Sequence, residues 1–348
     1  MTISFYPGPS QVYPQVRTFL TDAYDSGILS VNHRSAPAME LVEATFGLLR
    51  EKLLVPADYH IAFVSSATEC WEIIAQSLVR KSAVHAYNGA FGQKWAEYAR
   101  KLGVEVTEVP FSPEGELALQ ELATDVLCIT QNETSNGTQV SMPVLRQLRE
   151  QVPGLIAVDA TSSMAGIAFD WSLGDIWYAS VQKCFGLPAG MAVLICSPAA
   201  IARAQELNER NHYNSLVFID ENFRKFQTPY TPNVLGMYLL KRVLETVPVI
   251  TETDTKIRLR ARELYHFFGQ QPDWQLLTPS AAVRSDTVLT IAGDTNRIRD
   301  WKQFAAERGV LVGNGYGNWK ESTFRIANFP ALQDTDFTEL YRLITAFA

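Results

Sequence analysis

Three short stretches carry residues whose chemistry is out of place in a plain core. Lys183 closes the apolar run IWYASV and is followed at once by the small turn CFG. A lysine is almost always solvated, so one at the end of a core strand raises the prospect of a reaction that needs an amine. Asp159 ends another apolar run, LIAVD, within VDATSS. A carboxylate there is costly unless a cation or donors meet it. The third stretch, SSATE at residues 65–69, follows HIAFV and opens a helical pattern. Small hydroxyl residues at such a point either cap the helix or help its N-terminus hold a phosphate. Together, an amine, a buried acid and a phosphate cradle match what pyridoxal phosphate requires: a Schiff-base partner, a carboxylate for its pyridine nitrogen, and donors for its phosphate.

If the two runs that end in Asp159 and lead into Lys183 are neighbouring strands, both side chains emerge on one edge of a sheet. HIAFV (60–64), AVHAY (83–87), VEVTEV (104–109), DVLCIT (125–130), LIAVD (155–159), IWYASV (176–181) and MAVLIC (191–196) read as strands. TECWEIIAQSLV and FGQKWAEYARKLG between them read as helices. The alternation predicts an α/β fold whose large domain has a mostly parallel, covered sheet, with ligands gathering at the strands' carboxyl ends. After about residue 245 the order changes to a long charged helix, then TVLTIAG, VLVGN and STFRIAN, then a terminal helix. That order predicts a smaller C-terminal α+β domain. The expected division is a large domain over 16–245 and a small one over 246–348, with residues 1–15 associated with the latter.

The composition narrows the partners. A chain of 348 residues, 47% hydrophobic, can bury substantial cores. A net charge of -7 without a Lys/Arg block gives no footprint for nucleic acid or an anionic membrane. MTISFYPGPS has no basic or long apolar leader and no later run is long enough to span a bilayer, so a cytoplasmic protein is expected. Cys70, Cys128, Cys184 and Cys196 are scattered without clustered histidines, which predicts buried thiols rather than a disulfide framework or a metal site.

In these residues the chain resembles the class V (fold type I) pyridoxal-phosphate-dependent aminotransferases, closest to their phosphoserine aminotransferase branch. The resemblance runs through FYPGPS, LSVNHRS, LREKLLVPADYHIAFVSSATE, NGAFGQKW, QNETSNGTQ, VDATSS, SVQKCFGLPAG, QTPYTPNVLGMYLL and FRIANFPAL. It implies that Lys183 links to the cofactor and shuttles a proton, that Asp159 pairs with the ring nitrogen, that Phe91 stacks on the ring, and that Thr134 bonds its hydroxyl oxygen. It also implies a phosphate cradle from Ser66, Ala67, Thr68 and Gln182, completed by Gln227 and Thr228 of a second copy, and hence a homodimer. Arg325 would bind the α-carboxylate, and His33 and Arg34 the far end of the substrate, with Lys320 standing in as a cation where the family's second His-Arg pair is missing.

Two stretches depart from the family pattern. Glu69 stands near where an arginine is expected, and GNGYGNWKESTFR offers no His-Arg pair before Arg325. The expected activity is transfer of the amino group of glutamate to phosphohydroxypyruvate in serine biosynthesis. The alternatives are another small amino acid and oxoacid pair, of the serine or alanine type, or a non-catalytic binder on the same fold. A cysteine desulfurase is set aside because no cysteine follows Cys196, and a nucleotide-binding protein because no glycine-rich phosphate loop of that kind is present.

Overall fold

The computed structural model describes residues 2–120 and 123–347. In chain order its strands are β1 (Ile3–Phe5), β2 (His60–Val64), β3 (Ser82–Tyr87), β4 (Glu105–Pro110), β5 (Val126–Thr130), β6 (Asn132–Glu133) and β7 (Thr138–Gln139). They continue as β8 (Leu155–Asp159), β9 (Ile176–Ser180), β10 (Ala192–Cys196), β11 (Gln275–Leu276), β12 (Val288–Ala292), β13 (Val310–Asn314) and β14 (Thr323–Ala327). Seven strands form one sheet in the order β2-β10-β9-β8-β5-β3-β4, and five form another in the order β1-β13-β14-β12-β11.

The larger sheet contains every run read as a strand in the first 200 residues. β5, β8, β9 and β10 are buried along their whole length, as unbroken apolar runs such as VLCIT demand of a sheet covered on both faces. β4, with the sequence EVTEVP, is largely exposed and lies at the edge, where its glutamates are solvated and Pro110 needs no further partner. All neighbours are parallel except β10, which runs antiparallel to both β2 and β9. The reason is the short link between β9 and β10, residues 181–191, which holds no helix. A parallel return needs a crossover of a dozen or more residues, so this chain must turn straight back. That same link begins with Gln182 and Lys183.

The carboxyl ends of β2, β3, β5, β8 and β9 consequently line one edge of the sheet. In the smaller sheet β1 pairs parallel with β13, while β14 runs antiparallel between β13 and β12, with Arg325 opposite Thr290 and Gly313. Residues 3–5 thus join the smaller sheet, whereas Ser10 and Tyr13 donate their backbone N–H groups to the carbonyls of Gln182 and Gly186 in the lysine loop. Each sheet has its own apolar cluster, one including Leu49, Trp95 and Trp177, the other Phe5, Trp301 and Phe324. The seam between them is polar. Ser285 Oγ donates to Asn132 Oδ1 at 2.5 Å and Thr287 Oγ1 to the Ser162 carbonyl at 2.7 Å. The four cysteines are buried and unpaired. No described helix is long and apolar enough to cross a membrane.

Candidate active site

At the carboxyl edge lies a cavity of about 860 Å³. Ala67, Thr68, Phe91, Thr134, Asp159, Gln182, Lys183, Lys320 and Arg325 all border it, although they come from both sheets and from positions up to 258 residues apart.

Lys183 is 9% exposed, and its Nζ donates to Thr134 Oγ1 at 3.0 Å and to Ser162 Oγ at 2.9 Å. Those two hydroxyls also bond to each other. Burial pulls the amine down from 10.5 to about 8, against the opposing pull of Asp159, and Arg325 lowers it further. Lys183 is therefore a lysine held by neutral acceptors and made easy to deprotonate. Gly8 lies beside its stem and leaves no room for a side chain: φ is +147°, and a Cβ there would sit 2.9 Å from Lys183 Cε.

Asp159 is placed by the last β5–β8 rung, opposite Thr130, and accepts a hydrogen bond from Thr161 N at 2.9 Å. Burial raises its proton affinity, with the Thr161 bonds and the Lys183 charge working against this. Phe91 is the second residue of the helix Ala90–Lys101. The buried Glu133 carboxylate anchors that helix start, accepting from Phe91 N at 3.1 Å, Gly92 N at 3.2 Å and Ser135 Oγ at 2.6 Å. On β14, Arg325 donates through Nε to the Asn314 carbonyl at 2.6 Å and through Nη1 to the Thr134 carbonyl at 2.8 Å. Its side chain is thereby fixed, with guanidinium donors left for a ligand.

The donor set fits pyridoxal phosphate. Besides the lysine and the aspartate, Thr130 Oγ1 and Asn132 Nδ2 border the cavity as buried polar atoms without a hydrogen-bond partner, which a native fold rarely tolerates unless a ligand meets them. The start of the helix Ala67–Leu78 borders the cavity through Ala67 and Thr68, as does Gln182, so a helix N-terminus is available there to a phosphate.

Five expected site residues lie elsewhere in this chain. Ser66 borders no part of the cavity; its Oγ caps the helix, accepting from Glu69 N at 3.1 Å, because an N-cap hydroxyl must turn back toward the first turn. Gln227 Nε2 reaches Met39 Sδ at 3.4 Å, and Thr228 Oγ1 donates to the Tyr230 carbonyl at 2.6 Å beside a separate, smaller cavity. His33 is half-buried and Arg34 exposed, in the segment before the helix Ala36–Leu53, away from the cavity. A single copy of the chain does not bring these four to the border of the cavity.

Glu69 does not face the cavity. Its carboxylate accepts from Ser65 N at 2.8 Å, Ser65 Oγ at 2.6 Å and the Tyr213 hydroxyl at 3.3 Å, completing a capping arrangement with Ser66. The loop before Arg325 is tightly packed at Gly315, where a Cβ would meet the Trp319 carbonyl oxygen at 2.2 Å.

Sequence reasoning missed Gly8, Ser162, Lys94 and Tyr316. The first two stand inside motifs already singled out, FYPGPS and VDATSS. Lys94 follows Phe91 by one helical turn, a spacing that places both on one face. Tyr316 gives no local signal, because a loop residue has no period to reveal its direction.

Known proteins share this family and fold. A family model described as aminotransferase class-V matches residues 6–319. The phosphoserine aminotransferase of Rhodococcus opacus (strain B4) is 28% identical, covering 97% of this chain and 92% of its own. A solved phosphoserine aminotransferase from Cytophaga hutchinsonii superposes with a TM-score of 0.95 at 30% identity, over 99% of this chain and 98% of that one. An aspartate aminotransferase from Thermus thermophilus shares the fold, with a TM-score of 0.84 at 20% identity over 99% of this chain and 98% of that one.

Proposed function

This chain belongs to the class-V aminotransferases, and on that premise we propose that it uses pyridoxal phosphate to move the amino group of glutamate to phosphohydroxypyruvate, giving 2-oxoglutarate and phosphoserine. The observation that carries the chemistry is the buried Lys183 amine, held by two hydroxyls in one cavity with the Asp159 carboxylate and the Arg325 guanidinium.

When bound, the cofactor supplies an electron sink that makes the proton on an amino acid's α-carbon removable. The protein supplies the rest. Lys183 holds the cofactor covalently and, once released, takes that proton at Nζ and hands it back; an amine titrating near 8 is matched to both tasks at neutral pH. Asp159 holds a proton on the ring nitrogen. Its own burial, which raises its proton affinity when alone, is offset by the cationic ring. Phe91 covers the ring face, and Thr134 bonds the ring oxygen. Ala67, Thr68 and Gln182 hold the phosphate, and Arg325 takes the substrate's α-carboxylate through a planar fork.

In the same reading the protein works as a cytoplasmic homodimer, divided at residues 245/246 as its sequence suggests. The positions of His33, Arg34, Gln227 and Thr228 off their own cavity support a site completed by a second copy, with Lys320 at the rim. The test is the visible absorbance of the purified protein, with Lys183→Ala as control, after glutamate and then phosphohydroxypyruvate. A yellow band that glutamate bleaches and phosphohydroxypyruvate restores supports the reading. Bleaching without restoration keeps the transaminase and replaces its oxoacid, and a colourless protein that takes up no cofactor refutes both.

A further inference from the structure

Most cations bordering the cavity have an evident occupation. Lys183 is held by hydroxyls, Arg325 by two carbonyls, and Lys320 stands 72% exposed at the rim with Glu321 at 3.9 Å. Lys94 differs. Among the described residues it has no carboxylate within ion-pair distance, and the acid on its own helix face, Glu97, is taken by Lys101 at 2.8 Å. Its ammonium instead donates to the Tyr316 hydroxyl at 2.7 Å and lies 5.2 Å from the centre of that ring and 5.9 Å from that of Phe91.

Tyr316 ties this cation to the rest of the site. Its ring stacks on Phe91 with centres 5.2 Å apart and planes at 29°, and the Arg325 guanidinium lies 5.5 Å from its centre. One ring therefore has the α-carboxylate cation and a second, uncompensated cation beside it. An ammonium has three donors and the tyrosine accepts only one of them, while the phenolic O–H is itself still free to donate. Two N–H groups and one O–H are thus available at a single point of the cavity. Glu72, the other acid at this rim, is exposed on a different helix.

We propose that Lys94, positioned by Tyr316, binds the distal oxyanion of the substrate, so that the site selects amino acids and oxoacids carrying a second carboxylate or a phosphate over those with an apolar end. The inference rests on the transaminase reading for the identity of the near end, which Arg325 holds. It adds a distal contact supplied within the chain, beside the one expected of His33, Arg34 and Lys320.

The test is calorimetric binding of non-reacting acids to the cofactor-loaded protein: glutarate with two carboxylates, phosphonopropionate with a carboxylate and a phosphonate, and butyrate with one carboxylate. Lys94→Met keeps the stem and removes the charge; Tyr316→Phe keeps the stacked ring and removes the hydroxyl. The expected result is about tenfold weaker glutarate binding in Lys94→Met and a smaller loss in Tyr316→Phe, with butyrate unchanged in both. The preference of kcat/KM for glutamate over alanine should fall by a similar factor, and Lys94→Arg should restore it. Equal weakening of phosphonopropionate identifies a general oxyanion site, and weakening of that acid alone identifies a phosphate site. Glutarate and phosphonopropionate binding that are both unchanged in a folded Lys94→Met protein overturn the proposal. A wild-type protein that binds glutarate through Lys94 but transaminates nothing would instead refute the activity and leave the site standing.

Discussion

The buried Lys183 amine makes a prediction that can be worked through in numbers. Only a neutral amine attacks the cofactor's aldehyde. At pH 7 a lysine titrating at about 8 is about 9% neutral, whereas one titrating at 10.5 is about 0.03% neutral, a ratio of about 300. Burial is the main cause of the lowering, with the nearby Arg325 charge acting in the same direction. The assay is the rate of cofactor uptake by cofactor-free protein, followed by visible absorbance in a stopped-flow instrument between pH 6 and pH 10. Dividing by the rate with N-acetyl-lysine under the same conditions removes the cofactor's own titration. The wild-type rate should rise about tenfold per pH unit and level off near pH 8, and in the ratio the advantage over the free amine should be greatest at low pH. Arg325→Met, which removes a neighbouring positive charge, should move the break upward. A rate that climbs without levelling through pH 9.5, or a break that Arg325→Met leaves in place, would refute the argument that burial and this charge tune the amine.

Two further outcomes follow from packing and burial. Gly8→Ala places a Cβ 2.9 Å from Lys183 Cε at a φ of +147°, so thermal unfolding should show a loss of about 1–3 kcal/mol and dialysis a faster loss of cofactor; no change in either would contradict the contact. His85 is 2% exposed, sits edge-on to Trp95 and has no hydrogen-bond partner on either ring nitrogen among the described residues. Burial lowers it from 6.5 to about 4. Between those values the unfolded chain binds the proton and the folded one does not, so this group's contribution is complete above pH 6.5 and is lost as the pH falls toward 4, by roughly 3 kcal/mol. Denaturant melts of His85→Phe should lack that acid limb, and an unchanged pH dependence would count against it.

The sequence by itself determined the strands of the larger sheet and the two charged groups, Lys183 and Asp159, at the centre of the site. Continuous runs such as VLCIT and LIAVD, short and alternating with helical patterns, read as strands covered on both faces, and Lys183 and Asp159 stood out because charged groups ending such runs need a partner. With the helix start at SSATE they pointed to pyridoxal phosphate, and a resemblance spread over nearly the whole chain pointed the same way. These signals are local: a period, a cap or an unbalanced charge is written within a few residues, so it can be read without the fold.

Direction and convergence were not local, and only the tertiary structure decided them. Glu69, which stands near where an arginine is expected, turns to Ser65 and Tyr213, where its carboxylate meets three donors. β10 runs against its neighbours because the link that carries Lys183 is too short to cross over. Ser66 spends its hydroxyl on its own helix, and His33, Arg34, Gln227 and Thr228 remain off the cavity of their own chain. Lys94 and Tyr316, separated by 222 residues, meet only because the larger sheet delivers one to its carboxyl edge and the smaller sheet delivers the other across a polar seam. No period or motif encodes such a meeting; it follows from strand order and from the packing of two sheets, which every residue in both cores helps to set.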